Sequence, residues 1–319
     1  MLARDSRYDG AIEWLLGSEE PAVRYMAARD LLDETRVEDA ARIPDGPKVR
    51  VLLAGHRAEG GFGVHPYKKW HGAHWRLVSL VELELPAGNR IAAAAAGQVL
   101  DWLTGDEHRA RIQAIDGLVR RCASQEGNAL AVCSRLGLHD DERVRLLAQS
   151  LLEWQWPDGG WNCDVDATGA RSSFHESLTP MWGLYEWWKA TGDRSALDAS
   201  HRTAELLLQH RLFRSSSSGD VIHPEWLKLH YPPYWHYDIL QALLMFARMG
   251  LVGDPRASDA LDVIERKRLA DGRWRPGNYW WASPGTRASN EEVVDWGRSA
   301  PNEMITLNAM RVLTAAGRA

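Results

Sequence analysis

The sequence predicts an all-α fold: an (α/α)6 toroid of repeated helical hairpins around a central, aromatic-lined cavity. Three observations predict it. Apolar residues recur at helical spacing in paired segments, and Gly-rich turns recur at a near-constant interval. Tryptophan is also far over-represented, with 16 Trp against four Phe in 319 residues. A core normally draws on Phe, Leu and Ile, so this many indoles imply turn-sealing motifs, a ligand-facing wall, or both.

The clearest hairpin covers residues 146–193. Leu147, Leu151 and Trp154 fall at i, i+4, i+7, and Leu178, Trp182 and Tyr185 repeat that spacing after the turn Pro157–Gly160. Gly192 is the expected C-cap of its second helix. An earlier copy runs from Val49 to about Gly88, with its turn at Glu59–Gly63 and the stripe Val78, Val81, Leu85 stopped by Pro86. A later one runs from about Ala204 to Gly250, with its turn at Ser215–Asp220 and the stripe Ile239, Leu243, Phe246. The last runs from about Ala260 to Gly317, with its turn at Asp271–Trp274 and the stripe Ile305, Ala309, Val312. Residues 11–34 read as a shorter helix pair broken at Gly17–Pro21.

The turn glycines set the period. Gly160 to Gly219 is 59 residues, Gly219 to Gly272 is 53, and Gly61 to Gly160 is 99, or two units. A degenerate copy is therefore expected over 91–139, with its turn at Cys122–Asn128. Six units (11–48, 49–90, 91–143, 144–196, 197–254, 255–319) then fill one domain, 1–319. Each hairpin has one apolar face that only its neighbours can cover, and closing the row into a ring leaves no exposed end. An open α-solenoid is the alternative, but its turns are generally shorter than these Trp-bearing loops.

The net charge of −5, with no basic block, gives no field for nucleic acid or for an anionic membrane surface. Three cysteines (Cys122, Cys133, Cys163) are an odd number in a large chain, which fits a reducing cytoplasm rather than a disulfide framework. The polar start MLARDSRYDG does not read as a signal peptide, and the longest small-apolar run, Ile91–Gly97, is too short to span a bilayer. A cytoplasmic protein with no integral membrane contact is expected. The sequence does not set its oligomeric state.

Gln155-Trp156-Pro157-Asp158-Gly159-Gly160-Trp161 resembles the repeat motif of the squalene/oxidosqualene cyclase and protein prenyltransferase superfamily. Asp271–Trp274 and Gly60–Gly63 are weaker copies, and the pattern extends from about Val49 to the end of the chain. The chain looks most like the short, single-domain bacterial members described as cyclase-like. The resemblance implies the α/α toroid and a hydrophobic, isoprenoid-like small-molecule substrate. It does not by itself fix an activity. In the motif, the Gly pair permits a tight turn with positive φ, and the Trp folds back over the preceding helix end.

Triterpene cyclases of that superfamily start their chemistry from an Asp-x-Asp-Asp motif that opens an inner helix. Here Asp164-Val165-Asp166 is followed by Ala167 and comes three residues past Trp161, ahead of the expected place, where Ser172–Ser177 stand. A solvated turn or a helix cap is the ordinary role for such acids.

Aligning the repeats directs attention to histidine instead. His74, His175 and His236 open the second helix of three units, where helix N-termini converge with their partial positive charge. Two chemistries follow. With Cys122 or Cys163 nearby, the three imidazoles would suit tetrahedral zinc. Phe174-His175-Glu176 is similar to the Tyr-His-Thr segment that carries the zinc-binding histidine of protein prenyltransferases, although the Asp-x-Cys ligand pair of that family has no counterpart here. Alternatively, with no metal, His74, His175, His236, Glu176 and Asp238 are candidate catalytic acids and bases. Glu176 and Asp238 also suit the first turn of a helix as dipole partners. Trp70, Trp75, Phe174, Trp182, Tyr234, Trp235, Tyr237, Tyr279 and Trp280 are the candidate substrate wall, whose π faces stabilise a passing cation.

The expected function is a terpene cyclase-like enzyme, an isomerase or lyase working by acid–base chemistry with no cofactor or with zinc. A non-catalytic small-molecule-binding toroid is the alternative. A carbohydrate-active α/α-barrel is another, and it would need two opposed carboxylates.

Overall fold

The structure, a computed structural model, describes residues 6–319; the start of the polar N-terminal stretch lies outside them. The chain is all-α. The helices α1 (Asp9–Leu16) and α2 (Pro21–Leu32) form the first pair, broken at Gly17–Pro21 as the sequence predicts. Then come α3 (Val37–Arg42), α4 (Pro47–Leu53), α5 (Ala73–Glu82), α6 (Arg90–Thr104) and α7 (Asp106–Arg109). A two-stranded antiparallel hairpin, β1 (Gln113–Ile115) and β2 (Leu118–Arg120), pairs Gln113 with Arg120. The remaining helices are α8 (Ser124–Arg135), α9 (Glu142–Trp154), α10 (Phe174–Thr191), α11 (Arg194–Gln209), α12 (Ile239–Arg248), α13 (Ser258–Arg266) and α14 (Glu303–Ala315).

Burial sorts the helices into two kinds. A helix that is buried all round lies inside, and one with a single apolar stripe lies outside. Every residue of α5 is buried, and α8, α10, α12 and α14 are buried over most of theirs. By contrast, α9 buries Val144, Leu147, Ala148, Ser150, Leu151 and Trp154 and leaves its other face to solvent. The helix α10 packs on α8, α9 and α11; α5 packs on α6 and α8; α12 packs on α13 and α14. The last helix, α14, packs on α1 and α2, so the final hairpin meets the first. The tightest crossing is that of α8 with α10. A Cβ on Gly127 would come within 2.4 Å of the Pro180 nitrogen, and one on Gly183 within 2.5 Å of the Gly127 oxygen.

The predicted turn recurs as one hydrogen-bonded unit. The amides of Arg57, Trp156 and Leu269 donate to the carbonyls of Gly61, Gly160 and Arg273, and the amides of Gly60, Gly159 and Gly272 donate back to Arg57, Trp156 and Leu269. These three glycines have φ of 89°, 100° and 82°. Each also abuts the next hairpin, because an added Cβ would meet Ala94, Arg202 or Arg7 backbone oxygen at 2.9, 2.6 and 2.9 Å. Only glycine satisfies both the dihedral and the contact. The indoles then seal the preceding helix ends: Trp161 Nε1 donates to the Leu151 carbonyl (3.1 Å) and Trp274 Nε1 to that of Ile264 (2.8 Å).

The degenerate third copy departs from expectation. Gly127 lies inside α8, where it lets α10 approach; it is not in a turn. The connection between α6 and α8 is instead made by α7 and the β-hairpin. This unit has no Gly-Gly-Trp turn, so the β-hairpin and its link to Asn162 fill that role: Arg121 N donates to the Asn162 carbonyl at 3.0 Å.

An ion-pair network joins the C-terminal ends of the inner helices. Arg29 on α2 pairs with Glu84 (2.6 Å), and Arg311 on α14 with Asp30 (2.8 Å). Glu82 at the end of α5 receives Arg248 from α12 (3.0 Å) and Arg135 from α8 (3.4 Å). Burial alone would raise the Glu82 pKa, but the two guanidiniums outweigh it and hold the carboxyl below its usual range.

Candidate functional site

Between α8, α10 and α12 lies a narrow cavity lined by Asn128, Leu178, Thr179, Trp182, Pro233, Tyr234, His236, Gln241, Leu244 and Met245. Glu82 and Arg248 of the ion-pair network also line it. It has room for about two water molecules. Two buried polar atoms of residues on its wall, Asn128 Oδ1 and His236 Nδ1, lack a hydrogen-bond partner. A buried polar atom without a partner is uncommon and calls for one from a ligand or solvent.

His236 is held in an indole sandwich, its ring 3.9 Å from that of Trp235 and 4.0 Å from that of Trp280. Burial, helped by His230, His175 and Lys69, pushes its pKa down to about 2, so the imidazole is neutral at physiological pH. Tyr234 is stacked on Trp70 at 4.2 Å, and its hydroxyl donates to Glu292 Oε2. Glu292 is fully buried, and burial lifts its pKa to about 7 against hydrogen bonds from Tyr234 and the Val293 and Val294 amides. The cavity is therefore lined by a neutral imidazole and by Tyr234, whose phenol is hydrogen-bonded to Glu292, a carboxylic acid that titrates near neutrality.

The three predicted histidines have different surroundings. His175, the second residue of α10, accepts the Tyr237 amide on Nδ1 (2.9 Å) and sits 6.5 Å from the His236 ring. Burial lowers its pKa to about 4. His74, the second residue of α5, faces Tyr67, Trp75 and Trp102 and borders a gap too small for water with Leu77, Ala96 and Cys133. Burial takes its pKa to about 3. Only His236 of the three reaches the cavity.

The predicted carboxylates are both engaged. Asp238 caps α12 through the Gln241 amide (2.9 Å) and pairs with His230 Nδ1 (2.5 Å). Glu176 accepts the Ser124 amide (2.9 Å). Asp164 and Asp166 form a solvated turn, with Asp166 Oδ1 accepting the amide and hydroxyl of Thr168.

The residues of the predicted zinc set, His74, His175, His236 and Cys122, do not converge as a group of potential ligands among the described residues. Among the described residues, the potential metal ligands that converge are Cys122, Cys163 and Glu176, with ligand atoms all within 4.8 Å of one another. The three imidazoles are engaged elsewhere, His175 by the Tyr237 amide, His236 by the two indoles and His74 by Tyr67, Trp75 and Trp102.

Of the predicted aromatic wall, Trp182 and Tyr234 line the cavity, while Trp235 and Trp280 grip His236. Trp70 and Trp75 stand behind Tyr234. Phe174 stacks on Trp226 at 4.7 Å, and Tyr237 donates to the Leu212 carbonyl, so both are packing residues. Tyr279 faces a separate surface groove with Arg266, Lys267, Arg268 and Arg275. Sequence reasoning missed Asn128, Glu292, His230 and the Glu82–Arg248 pair. The buried acid is the one with a local signal: Glu291-Glu292 runs directly into Val293-Val294 in a loop that has no helical period.

No family model, curated protein or solved structure matches the chain. No helix of the described residues is long and apolar enough to cross a membrane.

Proposed function

We propose that the six hairpins close into an α/α toroid and that the chain is a terpene cyclase-like acid–base enzyme acting on a compact, largely apolar, isoprenoid-like molecule in its central cavity. The contacts of α14 with α1 and α2, and of Gly272 with Arg7, support closure. One observation carries the function: Asn128 Oδ1 and His236 Nδ1 are buried, unpartnered polar atoms of residues that line an aromatic cavity together with Tyr234.

In this reading a substrate hydroxyl donates to Asn128 or His236. Protonated Glu292 sits one hydrogen bond behind the Tyr234 hydroxyl and replaces the proton that this hydroxyl gives up. His236 accepts a proton at the other wall. Its low basicity suits it only to very acidic protons, such as those beside a cationic carbon, while the indole of Trp182 stabilises positive charge. Isomerisation, cyclisation and elimination all conserve the atoms present and need no redox partner. The small cavity favours short substrates and requires side chains to move as one enters.

The test incubates the protein with short isoprenoid alcohols and their epoxides and analyses products by gas chromatography with mass detection, alongside calorimetric binding. An isomer of unchanged mass, or its dehydration product, is expected. It should be abolished by His236→Phe, which keeps the stacked ring and deletes the acceptor, and strongly reduced by Glu292→Gln. Binding without product would transfer the conclusion to a carrier or sensor role. Neither binding nor product would overturn the reading.

A further inference from the structure

Away from the cavity wall, three chain segments are laced together by backbone hydrogen bonds. The Arg121 amide donates to Asn162 (3.0 Å), and the Ser173 amide donates to Trp161 (2.8 Å). This lacing fixes Cys122 just before α8, Cys163 in the loop after the Gly-Gly-Trp turn, and Glu176 in the first turn of α10. Their sulfur and oxygen atoms lie within 4.8 Å of one another, and Cys163 Sγ is 3.8 Å from Glu176 Oε1. A zinc ion bonded to sulfur at about 2.3 Å and to oxygen at about 2.1 Å, at a tetrahedral angle, holds those two atoms about 3.6 Å apart. The side chains are therefore close to ligand positions before any ion arrives.

We propose that Cys122, Cys163 and Glu176 form a binding site for a zinc-class divalent cation, with its fourth position open. Two thiolates and a carboxylate select a borderline-soft ion over magnesium or calcium, which take all-oxygen shells. Both cysteines are half-buried, so solvent reaches the cluster, while Glu176 is buried and oriented by the Ser124 amide on its other oxygen. That amide is the kind of outer contact that fixes a ligating carboxylate. Binding displaces the two thiol protons to solvent, and nothing is oxidised. Three protein ligands with an open fourth position is the arrangement of catalytic rather than structural zinc. On α10, Glu176 precedes the cavity-lining residues Leu178 and Thr179 by less than a helical turn, and the Thr179 hydroxyl donates to the Ser124 carbonyl (3.1 Å).

The experiment uses the full chain, purified under reducing conditions without chelator. Elemental analysis is expected to find about one zinc per chain. Cobalt added to metal-free protein should give a thiolate-to-cobalt charge-transfer band that weakens in Cys122→Ser and in Cys163→Ser. Zinc affinity should fall more than about a hundredfold in either variant, since even outer-shell changes cost ten- to a hundredfold. Cys133→Ala, whose thiol is buried beside His74, should bind zinc unchanged. Cys163 lies in a loop, so its variant tests the site even if changes near α8 or α10 impair folding. No cobalt band, or zinc that persists in both serine variants, would overturn the proposal. So would a Cys122–Cys163 disulfide that forms in reducing buffer.

Discussion

Glu292 keeps its proton to about pH 7 because its carboxyl is buried, and the donors around it only partly offset that burial. Its ordinary value is 4.5, so the folded-state pKa is raised. Such a group contributes stability that is fully present below about pH 4.5 and is lost as pH rises through about 7. The loss over that window is about 3 kcal/mol. His74, His108, His175 and His236 titrate in the opposite sense. Their folded pKa values are depressed to between about 2 and about 4, so they destabilise the fold as pH falls below 6.5. Subtracting the Glu292→Gln stability profile from the wild-type one cancels the histidines and isolates the acid. The wild-type advantage should shrink by about 3 kcal/mol between pH 4.5 and 7 in denaturant titrations. A flat difference would mean that Glu292 is ionised throughout.

At the scale of the element, glycine position separates two kinds of helix contact. Gly127→Ala on α8 puts a methyl group onto the backbone of α10, which cannot move aside like a side chain. Overpacking costs about 1–3 kcal/mol, and the backbone contact places this site at the upper end, beyond the gain of about 1 kcal/mol in helix propensity. A net loss of about 2 kcal/mol is expected. Gly97→Ala on α6 meets no atom within 4 Å and should stabilise by about 0.5–1 kcal/mol, so paired thermal melts separate the two effects.

The same elements show what the sequence could reveal. The turn at Gly159-Gly160-Trp161 was legible because positive φ and a sealing indole restrict residue choice strongly. Gly127 was misread as a turn because a glycine that admits a neighbouring helix looks the same in sequence as one that ends its own. The histidines were legible only in part. Repeat alignment fixes a residue's height on a helix but not what its ring meets, and His74 and His175 occupy the same step of α5 and α10 with unrelated partners. The Cys122–Cys163–Glu176 cluster draws its members from three segments with no short-range spacing, so no sequence pattern marked it.

The ion-pair network makes the inner helices answer to one another across the whole molecule. Glu82 is the carboxylate that Arg248 and Arg135 share, and it is 4% exposed. Glu82→Gln preserves shape but leaves Arg248, which also borders the cavity, without its ion-pair partner, while Arg135 keeps only the longer pair with Glu84 at 4.0 Å. Removing one partner of a buried pair costs about 3–5 kcal/mol, because the remaining charge is stranded without solvent. That loss is a large fraction of the stability of an ordinary domain, so the variant should unfold at markedly lower denaturant concentration. The double variant Glu82→Met, Arg248→Met removes charge and counter-charge together and refills the space with apolar atoms, and it should recover most of the loss. If the network only decorates a surface, the single variant will cost less than about 1 kcal/mol and the double will show no recovery. If it joins the ends of α5, α8 and α12, the transition of the single variant should stay a single cooperative step with an unchanged slope, because all three helices lose the same anchor together.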